Sequence, residues 1–346
     1  MFEVRPYHAD DAAAWDAVVA RSRNGNFLHQ RGYMDYHADR FVDSSLVVTR
    51  GRSIVGVFPA NIRDDVVTSH GGLTYGGLIA THELRAESTL AVFELMAARW
   101  RNAGVRRVLY KAIPHVFRAY PSEEDLYALQ RLGATLVRRD ISSVIPLQDG
   151  VGLSETRGRA VRRARHAGVD VVPGGDLAEY HALLGEVLKR HTAVPTHSLE
   201  ELRLLQSRFP GQIVLHEARR QGALLAGVLV YDFGRTVHAH GLAVLFAEEH
   251  HRAGFLRIFH VHGIDRRLDL FDGHGNQRGR KTGCSQRLRG RGDLDRAQAG
   301  HALIDGRALR HISRVVGGAS EGRRKQRERQ SKSRSAQEEK THDRNP

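Results

Sequence analysis

The chain has 346 residues, enough for two domains of ordinary size, and a formal net charge of +14 at pH 7. Its single cysteine, Cys284, excludes a disulfide framework and a cysteine-rich zinc site. No apolar run approaches the roughly 20 residues that a membrane span needs, the first residues do not resemble a signal peptide, and a soluble cytoplasmic protein is expected.

Phe2–Pro6 alternates and predicts a short strand. Asp10 or Asp11 caps a helix through Trp15, Val18 and Val19, which Gly25-Asn26 ends. Residues 29–40 (HQRGYMDYHADR) are aromatic and predict a second short helix. Residues 45–49 and 53–60 read as strands joined by a turn at Arg50-Gly51-Arg52. Residues 66–80 (VVTSHGGLTYGGLIA) carry two glycine pairs, Gly71-Gly72 and Gly76-Gly77, around Tyr75, with Ser69 and His70 just before them. A strand interrupted this way predicts a bulge or the close approach of a ligand. A glycine-rich bend with a buried tyrosine is the alternative. Residues 83–102 form a long amphipathic helix with Leu84, Leu90, Val92, Leu95, Met96 and Trp100 inside, stopped by Gly104. Residues 107–113 are the next strand, with the polar Lys111 inside it. Ser122 caps a helix through Leu126, Leu129 and Leu132 that ends at Gly133, and residues 142–147 form the last strand of this half.

The order strand, two helices, three meandering strands, helix, strand, helix, strand predicts an α+β domain with a mixed central sheet covered on both faces. It resembles an acyl-CoA N-acyltransferase (GNAT-type) domain. Residues 29–40, followed by His70-Gly71-Gly72-Leu73-Thr74-Tyr75-Gly76-Gly77, resemble the FemAB-like (BioF2-like) branch, whose members carry two such domains in tandem.

Residues 153–168 (LSETRGRAVRRARHAG) predict a basic helix on which several of Arg157, Arg159, Arg162, Arg163 and Arg165 share a face. It reads either as a clamp for phosphate or another anion or as a solvated basic face. It also resembles the basic segment that opens the second domain of FemAB-like enzymes. Residues 169–172 are a strand. A helix runs from Asp176 or Leu177 to about Lys189, and Ser198-Leu199-Glu200-Glu201 opens another with a capping box, ending near Phe209-Pro210-Gly211. Residues 212–217, 223–233 and 236–242 read as three antiparallel strands, the middle one almost wholly apolar. This repeats the hairpin order of the first half, and internal duplication of one fold accounts for it. In GNAT-type domains the strand matching residues 223–231 splays from the next, and its backbone and the following turn receive the pantetheine and pyrophosphate of acyl-CoA. The resemblance therefore places Tyr231 and His240 beside the donor and a phosphate turn after His240.

The tail departs from this pattern. Residues 241–346 hold 23 Arg and Lys against 13 Asp and Glu, and the 75 residues after Phe271 contain no Phe, Tyr or Trp. Such a composition does not supply a core like that of the first half. One reading is an Arg/Gly-rich arm that binds nucleic acid through its backbone. The preferred reading is a reading-frame slip near Leu242. Codons permitted for residues 248–255 and 271–277, read one base later, allow stretches that resemble the helix after the phosphate turn and a later strand end of the FemAB-like second domain. His250, His251, His260 and His262 lack an acidic or cysteine partner at fitting spacing, so no metal site is expected.

The chain is thus expected to divide into a GNAT-like domain (1–150), the first part of a second, incomplete GNAT-like domain (151–245), an aberrant Arg/Gly/His-rich region (246–319) and a disordered basic tail (320–346). The expected function is N-acyltransfer to an amine, impaired in this chain. The resemblance implies acyl-CoA as donor, or aminoacyl-tRNA in its place, and a small-molecule or cell-envelope amine as acceptor. Such chemistry needs a base for the amine proton, a donor that polarises the carbonyl and a proton source for the leaving group. His70 is the candidate base and Tyr75 the candidate acid; a core histidine and a packed sheet tyrosine are the structural alternatives. Gly71, Gly72, Lys111, Arg162, Arg163, Tyr231 and His240 are the candidate binding residues. Nucleic acid enters only through the basic tail or a tRNA donor. The alternatives are a nucleic-acid-binding protein and a non-catalytic remnant.

Overall fold

The computed structural model describes residues 1–140, 144–145 and 153–244, and the backbone of residues 301–305. In chain order the first half contains β1 (Phe2–Pro6), α1 (Ala12–Arg21), α2 (Arg31–Met34), β2 (Val42–Asp43), β3 (Leu46–Arg50), β4 (Ser53–Phe58), β5 (Asn61–Arg63), β6 (Val66–Thr68), β7 (Ile79–Ala80), α3 (Ala86–Asn102), β8 (Arg107–Lys111), α4 (Glu124–Arg131) and β9 (Thr135–Arg138). The second half contains α5 (Glu155–His166), β10 (Val169–Pro173), α6 (Leu177–Lys189), α7 (Leu199–Arg208), β11 (Ile213–Arg220), β12 (Ala223–Asp232) and β13 (Val237–Val244), and β14 (His301–Asp305) follows. They form three sheets, ordered β1-β3-β4-β7, β2-β5-β6-β8-β14-β9 and β10-β11-β12-β13.

Side-chain alternation decides which helix each strand face meets. In β3, Leu46 and Val48 face α3 with its Val92, Phe93, Met96 and Trp100, while Val47 faces Trp15 and Val18 of α1. In β12, Leu229 and Tyr231 face Tyr180 of α6 and Leu202 and Leu205 of α7, while Ala226, Val228 and Val230 face the α5 side with Ala164. A strand covered on both faces reads as a continuous apolar run. The two halves share one core. Phe27 packs on Phe209, Tyr231 and Phe233 at centroid distances of 5.0, 5.4 and 5.2 Å. Polar bonds cross the same seam: Arg208 donates to the Gly32 carbonyl at 2.8 Å, Thr236 to the Val116 carbonyl at 2.8 Å, and Arg40 pairs with Glu201 at 2.5 Å.

Several sequence expectations change. Residues 29–40 are a short α-turn flanked by two 3-10 turns, not one helix. The fourth helix starts behind Glu123 with no side-chain cap, and the buried Ser122 hydroxyl makes no hydrogen bond. Leu95 lies 40% exposed on the outer face of α3, and Phe93 is inside instead. The expected strand at 142–147 lies outside the described residues except for 144–145, which form no regular structure. Thr135–Arg138 is a strand that the sequence reading missed. The splay expected between the strand of residues 223–231 and the next is absent: β12 and β13 pair from Ala226↔Val244 to Asp232↔Val237, interrupted only by a bulge. Residues 301–305, inside the region expected to be aberrant, pair as β14 with both β8 and β9. The rest of that region, the basic tail and the frame-slip matches at 248–255 and 271–277 lie outside the described residues, as do His250, His251, His260 and His262.

Candidate functional site

The glycine-rich segment is the place where the chain passes from one sheet to another. Strand β6 runs parallel to β8 for three residues (Val66↔Arg107, Val67↔Val108, Thr68↔Leu109) and then leaves it. The Ser69 amide donates to Leu109 O at 2.9 Å, and Ser69 Oγ accepts from the Lys111 amide at 2.7 Å. The Gly76 amide returns to Lys111 O at 2.9 Å, and the chain joins the other sheet as β7. Between these anchors residues 70–75 arch out of the ladder. Close approach is the use of the glycines, as expected, but the groups that approach belong to the protein. A Cβ on Gly72 would lie 2.0 Å from His37 Nε2, and one on Gly77, at φ +101°, would lie 2.4 Å from the Tyr110 hydroxyl. The Gly71 amide is taken by Asn61 Oδ1 at 2.6 Å.

His70 sits at the start of the arch in the left-handed region (φ 60°), 5% exposed. Its Nδ1 is buried and makes no hydrogen bond. Its ring stacks on His37 (5.1 Å, 25°), and Phe41 lies beside both rings at 5.4 and 4.9 Å. Desolvation first, then the neighbouring His37 and Lys111, push its pKa down to about 3. His70 is therefore a neutral imidazole at physiological pH, able to accept a proton or a hydrogen bond.

Beyond His37 the aromatic contacts continue into the second half. Tyr36 stacks on His37 at 4.2 Å and lies 5.6 Å from His197, which lies 5.3 Å from His240. His240 stacks on Tyr231 at 4.3 Å and 7°, and the Tyr231 and Tyr33 hydroxyls are 3.4 Å apart. A bulge lies within this arrangement. Leu229 faces Gly241 and Val230 faces Ala239, so His240 has no partner in the ladder. His238 and His240, two residues apart, share the seam face of the strand, His238 against Phe117. Burial lowers His197 and His238 to about 4, and pushes His240 down further with help from those two.

The structure thus brings His70, Gly71, Gly72 and Lys111 to one end of the array and Tyr231 and His240 to the other. Lys111 is 7% exposed and its ammonium donates to the Leu73 carbonyl, bracing the arch. Tyr75 is fully buried. Its hydroxyl accepts from Asn26 Nδ2 at 2.8 Å, its ring stacks on Phe117 at 4.8 Å, and burial holds its phenol far above the usual range. Arg162 and Arg163 stand apart. They are exposed on α5, which buries Ala160 and Val161. That helix covers the sheet face opposite the one carrying Tyr231. The sequence reading missed His37, Tyr36 and His197, which join the two ends. The aromatic content of residues 29–40 was the available signal; His197 had none.

Among the described residues no group of three or more His, Cys, Asp or Glu is placed to hold a metal ion, and no helix is long and apolar enough to cross a membrane. No family model matches the sequence, and no curated protein matches it. The fold, in contrast, is shared with solved structures. FemX aligns with TM-score 0.55 and 12% identity over 90% of this chain and 99% of its own. L-PGS from Bacillus licheniformis aligns with TM-score 0.54 and 11% identity over 88% and 96%. A tandem GNAT protein from the clavulanic acid biosynthesis pathway has TM-score 0.46 and 14% identity over 80% and 91%. The chain shares the fold of FemX and L-PGS, α+β with mixed sheets. At these identities the likeness is one of fold.

Proposed function

We propose that the protein is an N-acyltransferase whose reaction site is the histidine array at the seam between two GNAT-like units, meeting near residue 150. The observation that carries this reading is the pair His70 and His240, contributed by different halves and linked by His37, Tyr36 and His197 within ring-contact distance. Acyl transfer forms a C–N bond and breaks the donor's C–S or C–O bond, and the amine must lose a proton as it attacks. His70, neutral and with a nitrogen that makes no hydrogen bond, suits that proton. Tyr231 and the bulged His240 suit the donor's reactive end, with acyl-CoA the preferred donor. The segment after Val244, where a phosphate turn is expected, lies outside the described residues. Gly72 shapes the arch, while the committed Gly71 amide and Lys111 ammonium hold it. The buried Tyr75, bonded to Asn26, frames the wall rather than delivering a proton. Aminoacyl-tRNA is the second donor; the exposed Arg159, Arg162 and Arg163 of α5 offer it a basic face, on the side of the sheet opposite Tyr231. A cell-envelope or small-molecule amine is the proposed acceptor.

The test is thiol release from acetyl-CoA in the presence of a panel of primary amines, with wild type against His70→Ala. Wild-type turnover that falls about 10²-fold or more in the variant is expected for loss of a general base. Equal rates in the two proteins would reject the role of His70. Tight, saturable acetyl-CoA binding by calorimetry would reject the view that this chain is an impaired remnant.

A further inference from the structure

His37 has no role in the chemistry outlined above, yet it is built into the site more firmly than His70. It is 2% exposed. Its backbone (φ −125°, ψ 29°) breaks the 3-10 turn of residues 35–40, so the chain gives up helical geometry at this residue. Its Nδ1 lies 2.5 Å from the Met34 carbonyl. A carbonyl only accepts, so Nδ1 carries a ring proton. The His37 Nε2 is buried against Gly72, whose backbone lies close enough to favour a proton on the ring. Three surfaces hold the His37 ring: Tyr36 stacked on it at 4.2 Å, Phe41 edge-on at 4.9 Å, and His70 stacked at 5.1 Å. Only the missing Cβ of Gly72 leaves room for it.

We propose that His37 is the positioning partner of His70: its ring, locked by the Met34 carbonyl and admitted by Gly72, fixes the plane of the His70 imidazole and keeps that imidazole unprotonated at rest. A locked neighbour that stacks on one face leaves His70 little freedom to turn. It also makes a positive charge on His70 harder to hold in the resting state, because protonating both rings would place two like charges 5.1 Å apart at the centroids. The other charged groups facing the pair are Lys111, Arg31 and Asp43 for His70, and Arg40 and Glu201 for His37. Arg31 pairs with Asp43 at 2.6 Å and Arg40 with Glu201 at 2.5 Å. Lys111 adds a further positive charge.

This inference rests on the proposed role of His70, but its test does not need turnover. The His70 imidazole is followed by NMR in the full-length protein, assigned by His70→Gln, and titrated in wild type, His37→Phe and His37→Ala. Phe keeps the stacked ring and removes the second titrating group; Ala removes both. In wild type the His70 signals stay unmoved down to about pH 5. In His37→Phe the midpoint rises by about one pH unit. In His37→Ala the nuclear Overhauser contact between the His70 and Phe41 rings is lost as well. An unmoved midpoint in His37→Phe, or an intact His70–Phe41 contact in His37→Ala, overturns the proposal. Gly72→Ala reaches the same contact from the other side and serves if either His37 variant unfolds: its Cβ expels the His37 ring, and a wild-type His70 titration in that variant is equally fatal. Where thiol release is measurable, the acidic limb of kcat/KM moves with the His70 midpoint in His37→Phe. Absence of thiol release in wild type counts against the acyltransferase reading and leaves His37 to be decided by NMR.

Discussion

His70 occupies a left-handed backbone conformation that a side-chain-bearing residue adopts only when its surroundings hold it there. Here the hold is explicit: Ser69 is tied to β8 on one side, Gly71 to Asn61 on the other, and the ring is stacked on His37. Tyr75 belongs to the same arch with a different task. Its hydroxyl is the acceptor for Asn26 Nδ2, and Asn26 Oδ1 in turn caps the 3-10 turn at Phe27–His29. Tyr75→Phe is expected to lower stability by about 1 kcal/mol, read as a lower urea midpoint at unchanged slope, while thiol release persists. Loss of turnover with stability intact would restore Tyr75 to the role of acid. The sequence singled out His70 through its glycine neighbours. It could not single out His37, because a histidine among aromatic residues in a polar stretch looks like any surface turn until the arch folds over it.

At the level of elements, strong local signals survived folding and weak ones did not. The capping box at the start of α7 is present, with Ser198 Oγ accepting from the Glu201 amide at 3.2 Å and Glu201 Oε2 from the Ser198 amide at 2.8 Å. Glu201 also holds Arg40 of the first half, so this helix end is part of the seam. Ser198→Ala is expected to cost about 1 kcal/mol, measured by thermal unfolding. A smaller cost with Arg40→Ala additive to it would show that the cap and the seam are independent. Short strands were harder to read. Thr135–Arg138 has four residues, three of them exposed, and no alternation that separates it from a loop. Residues 66–80 looked like one interrupted strand and are two, because β6 and β7 find partners in different sheets. The bulge at His240 leaves no mark in the composition of β13; it arises from the register against β12.

The shared core makes the whole molecule sensitive to its seam. Phe209→Ala would remove the ring that Phe27 and Tyr33 pack against and is expected to destabilise both halves together by about 3–5 kcal/mol. Two separate calorimetric transitions in wild type would contradict a common core. Acid is the second whole-molecule test. His29, His197 and His238 are lowered to about 4 and His70 to about 3, all chiefly by desolvation. Their folded pKa values lie below the unfolded value near 6.5, so the unfolded chain binds more protons. Stability is complete above about pH 6.5 and falls as pH drops toward 4, by up to about 1.4 kcal/mol per pH unit for each histidine. Urea midpoints that stay level between pH 7 and 5 would refute this burial. By itself the sequence determined the class of fold, most of the helices and the glycine-rich segment, because periodicity, caps and glycine pairs act over a few neighbouring residues. Only the tertiary structure decided that α5 lies on the sheet face opposite Tyr231, that residues 301–305 join the first half, and that histidines from both halves meet at one seam. Those outcomes depend on which faces are buried against which, a choice made by contacts between residues far apart in the chain.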